Sequence, residues 1–200
     1  MPPSSGIFKI ALRSLALACA LTIGTSPSFA GDKYETIDAQ AFGTGTELGH
    51  NIGVSIIIYG YSPPADRELL IEAFNRGQNT GLVSALRKMK AVGRVKITGT
   101  VGDDCAYIEM TPTPTGRRIL FATNRPILFG EAFTNSQSKS YDLTAGILEI
   151  NDRDKRKSTG VLFPAAQLIV NNKGELQLEL VRNAWKLVDL IDWNGNPGLN

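Results

Sequence analysis

Side chains able to do chemistry are few in this chain of 200 residues, and their spacing argues against most reactions. His50 is the single histidine, and Cys19 and Cys105 are the two cysteines. A zinc site needs three or four His, Cys or carboxylate ligands, so no metal and no cofactor is expected. Asn151, Asp152 and Asp154 resemble an oxygen-rich calcium loop, but Arg153, Lys155, Arg156 and Lys157 crowd the same stretch and oppose a cation. There is no Gly-x-Ser-x-Gly turn, and His50 sits in a Gly49-His50-Asn51 bend with no local partner. Cys105 lies on an apolar-flanked strand, where a buried inert thiol is expected.

Carboxylate chemistry needs two groups at a defined separation. Asp103-Asp104 read as a turn, and Glu109 and Glu131 cannot be placed relative to each other from sequence. A hydrolase built from such dispersed carboxylates is the third of three functional readings, and no catalytic residue is assigned. The arginines hold more interest. Arg117 and Arg118 begin an apolar strand and Arg125 ends it before Pro126. An arginine inside a barrel clamps a carboxylate or phosphate with its planar fork. Arg118 and Arg125 lie about 23 Å apart on a straight strand at 3.3 Å per residue and face opposite sides, so they cannot share one small anion. A break at Pro126 leaves Asn124 and Arg125 as the candidate ligand-binding residues. The plainer expectation for these arginines is strand ends paired with nearby acids at the surface.

The elements that must position these groups follow from periodicity. Val54 to Tyr59 is apolar on both parities, which predicts a strand buried on both faces. The period then changes. Pro64 suits a first helical turn, with Asp66 and Glu68 near its positive end. Leu69, Leu70, Ala73 and Phe74 share one face, and Gly77 is a natural left-handed stop. Asn79 or Thr80 then caps a second helix with an apolar face of Leu82, Val83, Leu86 and Met89. A two-helix hairpin over 64–91 is the expectation, and it either caps a barrel mouth or completes a core against a sheet.

From Arg94 onward the pattern is strand after strand, joined by short turns that force antiparallel pairing. Eight or nine strands are expected, ending near Trp193, with 194–200 as a polar tail. The predicted fold class is α+β, mainly β: an antiparallel β-barrel or β-sandwich with the hairpin inserted, one domain over 31–193.

The first thirty residues read as a signal peptide. Lys9 and Arg13 precede an apolar stretch from Ser14 to Gly24, and Ser28-Phe29-Ala30 suits cleavage after Ala30. The stretch is too short to anchor in a bilayer, so no integral membrane segment is expected after cleavage. Cys19 as a lipid-modified first residue fits poorly, because Leu17 stands one position too late in Ala16-Leu17-Ala18. A periplasmic or secreted location follows as the expectation. The leader holds Lys9 and Arg13 and no acid, so 19 basic side chains face 19 acidic ones after it. That balance argues against nucleic acid and against anionic lipid as partners. One cysteine after the leader excludes an intramolecular disulfide.

Segments Asp66 to Phe74, Gly81 to Met89, Val92-Gly93-Arg94, Thr111 to Ile119 (TPTPTGRRI) and Ala122 to Ile127 (ATNRPI) resemble a recurrent pattern. The pattern belongs to an uncharacterised family of exported bacterial proteins with no assigned function. Asn124 stands where that pattern has Asp. The resemblance implies an intact exported domain over 54–180 and carries no site residues. The expected function is non-enzymatic binding in the cell envelope, of a small apolar or amphipathic ligand beneath the helices. The alternative is an interaction module that presents a sheet edge or patch to another envelope protein.

Overall fold

In the computed structural model the described residues are 34–44, 49–125, 143–179 and 184–193. The expected leader, Glu131, the Pro126 break and the 194–200 tail lie outside them. Nine strands are described: β1 (Glu35–Phe42), β2 (Asn51–Ile58), β3 (Gly93–Ile97), β4 (Asp103–Thr113), β5 (Gly116–Thr123), β6 (Leu143–Asn151), β7 (Thr159–Val170), β8 (Leu176–Glu179) and β9 (Trp185–Asp192). All pairings are antiparallel. The order β6-β5-β4-β3-β2-β1-β9-β7 is closed by a further β6–β7 ladder, which makes a closed barrel of eight strands. Strand β8 hangs from the far half of β7, from Gln167↔Glu179 to Val170↔Leu176. Closure decides between barrel and sandwich. Register shifts at Asp38/Gln40, Cys105/Tyr107 and Leu143/Ala145 mark bulges, the usual device for bending strands into a barrel.

Side-chain alternation divides the apolar residues into two cores. Ile37, Ile56, Val95, Ile108, Ile119, Leu148, Leu162 and Leu187 meet in one cluster. They come from eight different strands, so that cluster is the barrel interior. An eight-stranded barrel is just wide enough for its own side chains to fill it. Phe121 lies over Gly146 so closely that an added Cβ would overlap its ring. The second cluster joins Leu70, Leu82, Val83 and Leu86 to Ala106, Tyr107, Ala122, Ala145, Phe163, Ala166 and Leu168. Ala122 follows the inward Phe121, so this cluster lies on the outer wall of β4–β7.

The helical element therefore packs against the outside of the barrel. Among the described residues it is one helical element, α1 (Pro64–Leu86), with a kink joining two helical stretches, where a two-helix hairpin was expected. Pro64 occupies its first turn and Asp66 its positive end, as the sequence reading had it. Backbone angles leave the helical region at Gly77 (φ −144°, ψ 19°) and Gln78 (φ 49°, ψ −145°). The left-handed residue is thus Gln78, not Gly77. Asn79 does not cap a new helix, since its Oδ1 is buried without a hydrogen-bond partner. The element ends at Leu86, with Arg87 as its C-cap, several residues short of the expected 91. No helix among the described residues is long and apolar enough to cross a membrane.

The asymmetry of this covering corrects a second expectation. Val54, Ile56 and Ile58 of β2 are buried, but Ile57 between them is only half-buried and Tyr59 is exposed. Helix α1 covers β4–β7 and leaves the outer wall of β9, β1 and β2 without it.

Candidate functional site

Two features stand back to back at one end of the barrel. The first is internal. Antiparallel pairing brings the start of β1, the end of β2, the start of β5 and the ends of β6 and β9 to the same rim. Glu35 has the parity of the inward Ile37, and Arg117 that of Ile119 and Phe121. Both therefore point into the interior, where their side chains are 0% and 4% exposed. Arg117 Nη2 donates to Glu35 Oε1 at 2.6 Å and to Asp192 Oδ2 at 2.7 Å. Its Nη1 donates to Asp152 Oδ1 at 3.1 Å. The Tyr61 hydroxyl donates to Glu35 Oε2 at 2.7 Å. Arg117 Nε is buried without a hydrogen-bond partner.

One guanidinium thus faces three carboxylates, which leaves negative charge in excess. Burial holds the Glu35 carboxyl above its ordinary 4.5, against the lowering effect of the Tyr61 and Arg117 hydrogen bonds. Burial, then the hydrogen bond to Glu35, pushes the Tyr61 hydroxyl up. Arg117 is held above its ordinary value by Glu35 and Asp192, which outweigh the opposing effect of its burial.

The second feature is the outer surface of the same rim. Residues adjacent to the internal cluster alternate outward. Tyr34 is 45% exposed, Tyr59 44%, Ile191 48% and Trp193 62%. The Tyr34 and Tyr59 rings lie 4.9 Å apart, tilted by 60°. Thr36 pairs with Ile57 on one side, and its carbonyl accepts from Trp193 N on the other. Asp38 lies in the row above, between Ser55 and Ile191. Its carboxylate accepts from Ser55 Oγ at 2.6 Å and from the Trp193 indole Nε1 at 2.7 Å. Asp38 therefore fixes the indole on the sheet. Arg94 borders Ile57 and is itself tied to Asp104 at 2.6 Å.

The residues singled out from sequence fall elsewhere. Asn124 is half-buried and Arg125 exposed, in the bend after β5, at the far end of that strand from Arg117. Arg125 Nε pairs with Asp103, and the Arg125 carbonyl accepts from Thr123 Oγ1 and Thr144 N. Arg118 pairs with Glu149 at the surface, as the plainer expectation had it, whereas Arg117 departs from it. Glu109 accepts from the Tyr107 hydroxyl and lies 3.8 Å from Arg67 Nε. Asn151 Oδ1 accepts from Arg153 N and Asp154 N, while Asp154 pairs with Arg156 and Lys157. These groups are engaged in a turn of their own. Cys105 is fully buried, and burial pushes its thiol up. Among the described residues no group of three His, Cys, Asp or Glu is placed to hold a metal.

The sequence reading missed Glu35, Tyr61, Asp192 and the outward aromatics. The signal was present for Glu35, a charged residue on the same parity as Ile37, Ala39 and Ala41, but not for Arg117, whose strand is apolar on both parities.

No protein family, no curated protein and no solved structure matches this chain.

Proposed function

We propose that this chain is a non-enzymatic recognition module of the cell envelope, exported by its leader, which binds another protein through the outer wall of β9, β1 and β2. The supporting observation is the aromatic face itself: Tyr34, Tyr59, Ile191 and Trp193 exposed on the same outer wall, with the indole fixed by Asp38. Large aromatics held in place, with a polar rim, have the composition of protein-binding hot spots. Rigid anchors lose little entropy on binding. The fit is to a partner that offers aliphatic side chains to the rings, with a hydrogen-bonding group at the Arg94–Asp104 edge.

A small apolar ligand inside the barrel is the less supported reading. It would have to displace side chains such as Phe121, Ile56 and Leu148, which already occupy the interior. The reading on Asn124 and Arg125 likewise meets a guanidinium already paired with Asp103.

Site-specific photo-crosslinking in the producing cells tests the proposal. A benzophenone side chain at Tyr59 should give one discrete protein adduct, and Trp193→Ala should remove it. The same probe at Lys173, on the β7–β8 turn, should give none. Equal adducts at both positions, or none at Tyr59, refute the proposal.

A further inference from the structure

Inward and outward residues at this rim lie close together along the same three stretches of chain. Glu35 follows Tyr34, Asp192 lies between Ile191 and Trp193, and Tyr61 is two residues beyond Tyr59. The internal cluster and the aromatic face thus share a backbone. A single nitrogen, Arg117 Nη2, is divided between Glu35 of β1 and Asp192 of β9. Those strands are neighbours, with Ile37 opposite Asp192 and Thr36 bonded to Trp193.

We infer that Glu35 is a proton-operated switch for the aromatic face, in which taking up a proton moves Arg117 toward Asp192 and resets the position of Trp193 on the sheet. The inference rests on the docking role proposed above and assigns its regulation. Arg117 Nη2 carries two N–H bonds, one to Glu35 and one to Asp192, so a charged Glu35 opposes the pull of Asp192 on the same guanidinium. A neutral Glu35 can donate or accept a hydrogen bond but no longer attracts the guanidinium by charge. The groups that face Glu35 are Tyr61 from the segment after β2, Arg117 from β5 and Asp192 from β9, with Asp152 after β6 reaching it through Arg117. The excess of carboxylates makes the proton welcome, and the buried setting raises the pH at which it binds. Switches of this kind couple a local charge change to an element with two arrangements.

The test needs no partner. Carbon-detected NMR of the Glu35 carboxyl and proton–nitrogen spectra of the Trp193 indole are followed from pH 4 to pH 8 on the full chain. The inference expects both to titrate with one shared midpoint, above the ordinary glutamate value of 4.5. Asp38 accepts from the same indole, so the titration is repeated in Asp38→Asn, where the shared midpoint should persist. In Glu35→Gln the indole should lose that transition. A Trp193 indole that ignores the Glu35 midpoint in the wild-type chain overturns the inference, even if Glu35→Gln fails to fold. That result would leave docking untouched, because crosslinking at Tyr59 reads docking separately.

Discussion

Arg117 is held by Glu35 and Asp192 in an interior otherwise apolar, with Asp152 reaching it from the half-exposed rim, so its removal should cost far more than the loss of a surface pair. Arg117→Met leaves Glu35 buried without its cation, and breaking a buried pair from one side costs about 3–5 kcal/mol. Arg118→Met, one residue along at the surface, should cost under about 1 kcal/mol. Urea unfolding of both variants checks the contrast. Glu35 also sets a pH dependence. Its native carboxyl binds a proton more tightly than the unfolded one, whose value is near 4.5. Its contribution is fully present below 4.5 and is lost as pH rises through the higher native value. Unfolding free energy should therefore fall with rising pH across that window, and Glu35→Gln should flatten this part of the profile. Parity in β5 did not separate Arg117 from Arg118, because Ile119 and Phe121 follow on one face and Leu120 and Ala122 on the other, and the sequence reading left both at the surface. The partners of Arg117 were not legible: Glu35 and Asp192 lie 82 and 75 residues away, and only barrel closure brings them together.

The strands were largely readable because their alternation survives in the structure. Ile37, Ala39 and Ala41 of β1 are inward and buried, and the short turns do give antiparallel pairs. Helix α1 was harder. Of its expected apolar face, Leu70, Ala73, Leu82, Val83 and Leu86 are buried and Phe74 and Met89 half-buried, whereas Leu69 is 44% exposed. Its break falls at Gly77 as read, but it is Gln78 that takes the positive φ that glycine adopts more cheaply. Nor does spacing say whether an apolar helical face covers a mouth or a wall. Here it covers a wall, and Leu82→Ala should cost about 2–5 kcal/mol by opening a cavity between α1 and the barrel. Gly146→Ala should destabilise by a different route, because its new methyl would overlap the Phe121 ring inside the barrel. Thermal melts of the two variants read both effects.

Across the whole molecule, one side of the barrel is covered by α1 and another carries an exposed aromatic face. Sequence alone left barrel and sandwich open, because the deciding ladder joins β6 to β7 while β1 joins β9, and neither hydrophobic period nor turn length encodes closure. The face was equally hidden: Tyr34 and Trp193 lie at opposite ends of the domain and reach the same rim only through the β1–β9 ladder. The most direct measurement is the affinity of the protein captured at Tyr59 for the Tyr34→Ala/Trp193→Ala variant, by calorimetry beside a thermal melt. Loss of two aromatic anchors should weaken binding by at least about 30-fold, roughly 2 kcal/mol, with the melting temperature nearly unchanged. Wild-type affinity in a folded double variant would contradict the assignment of this face as the recognition surface.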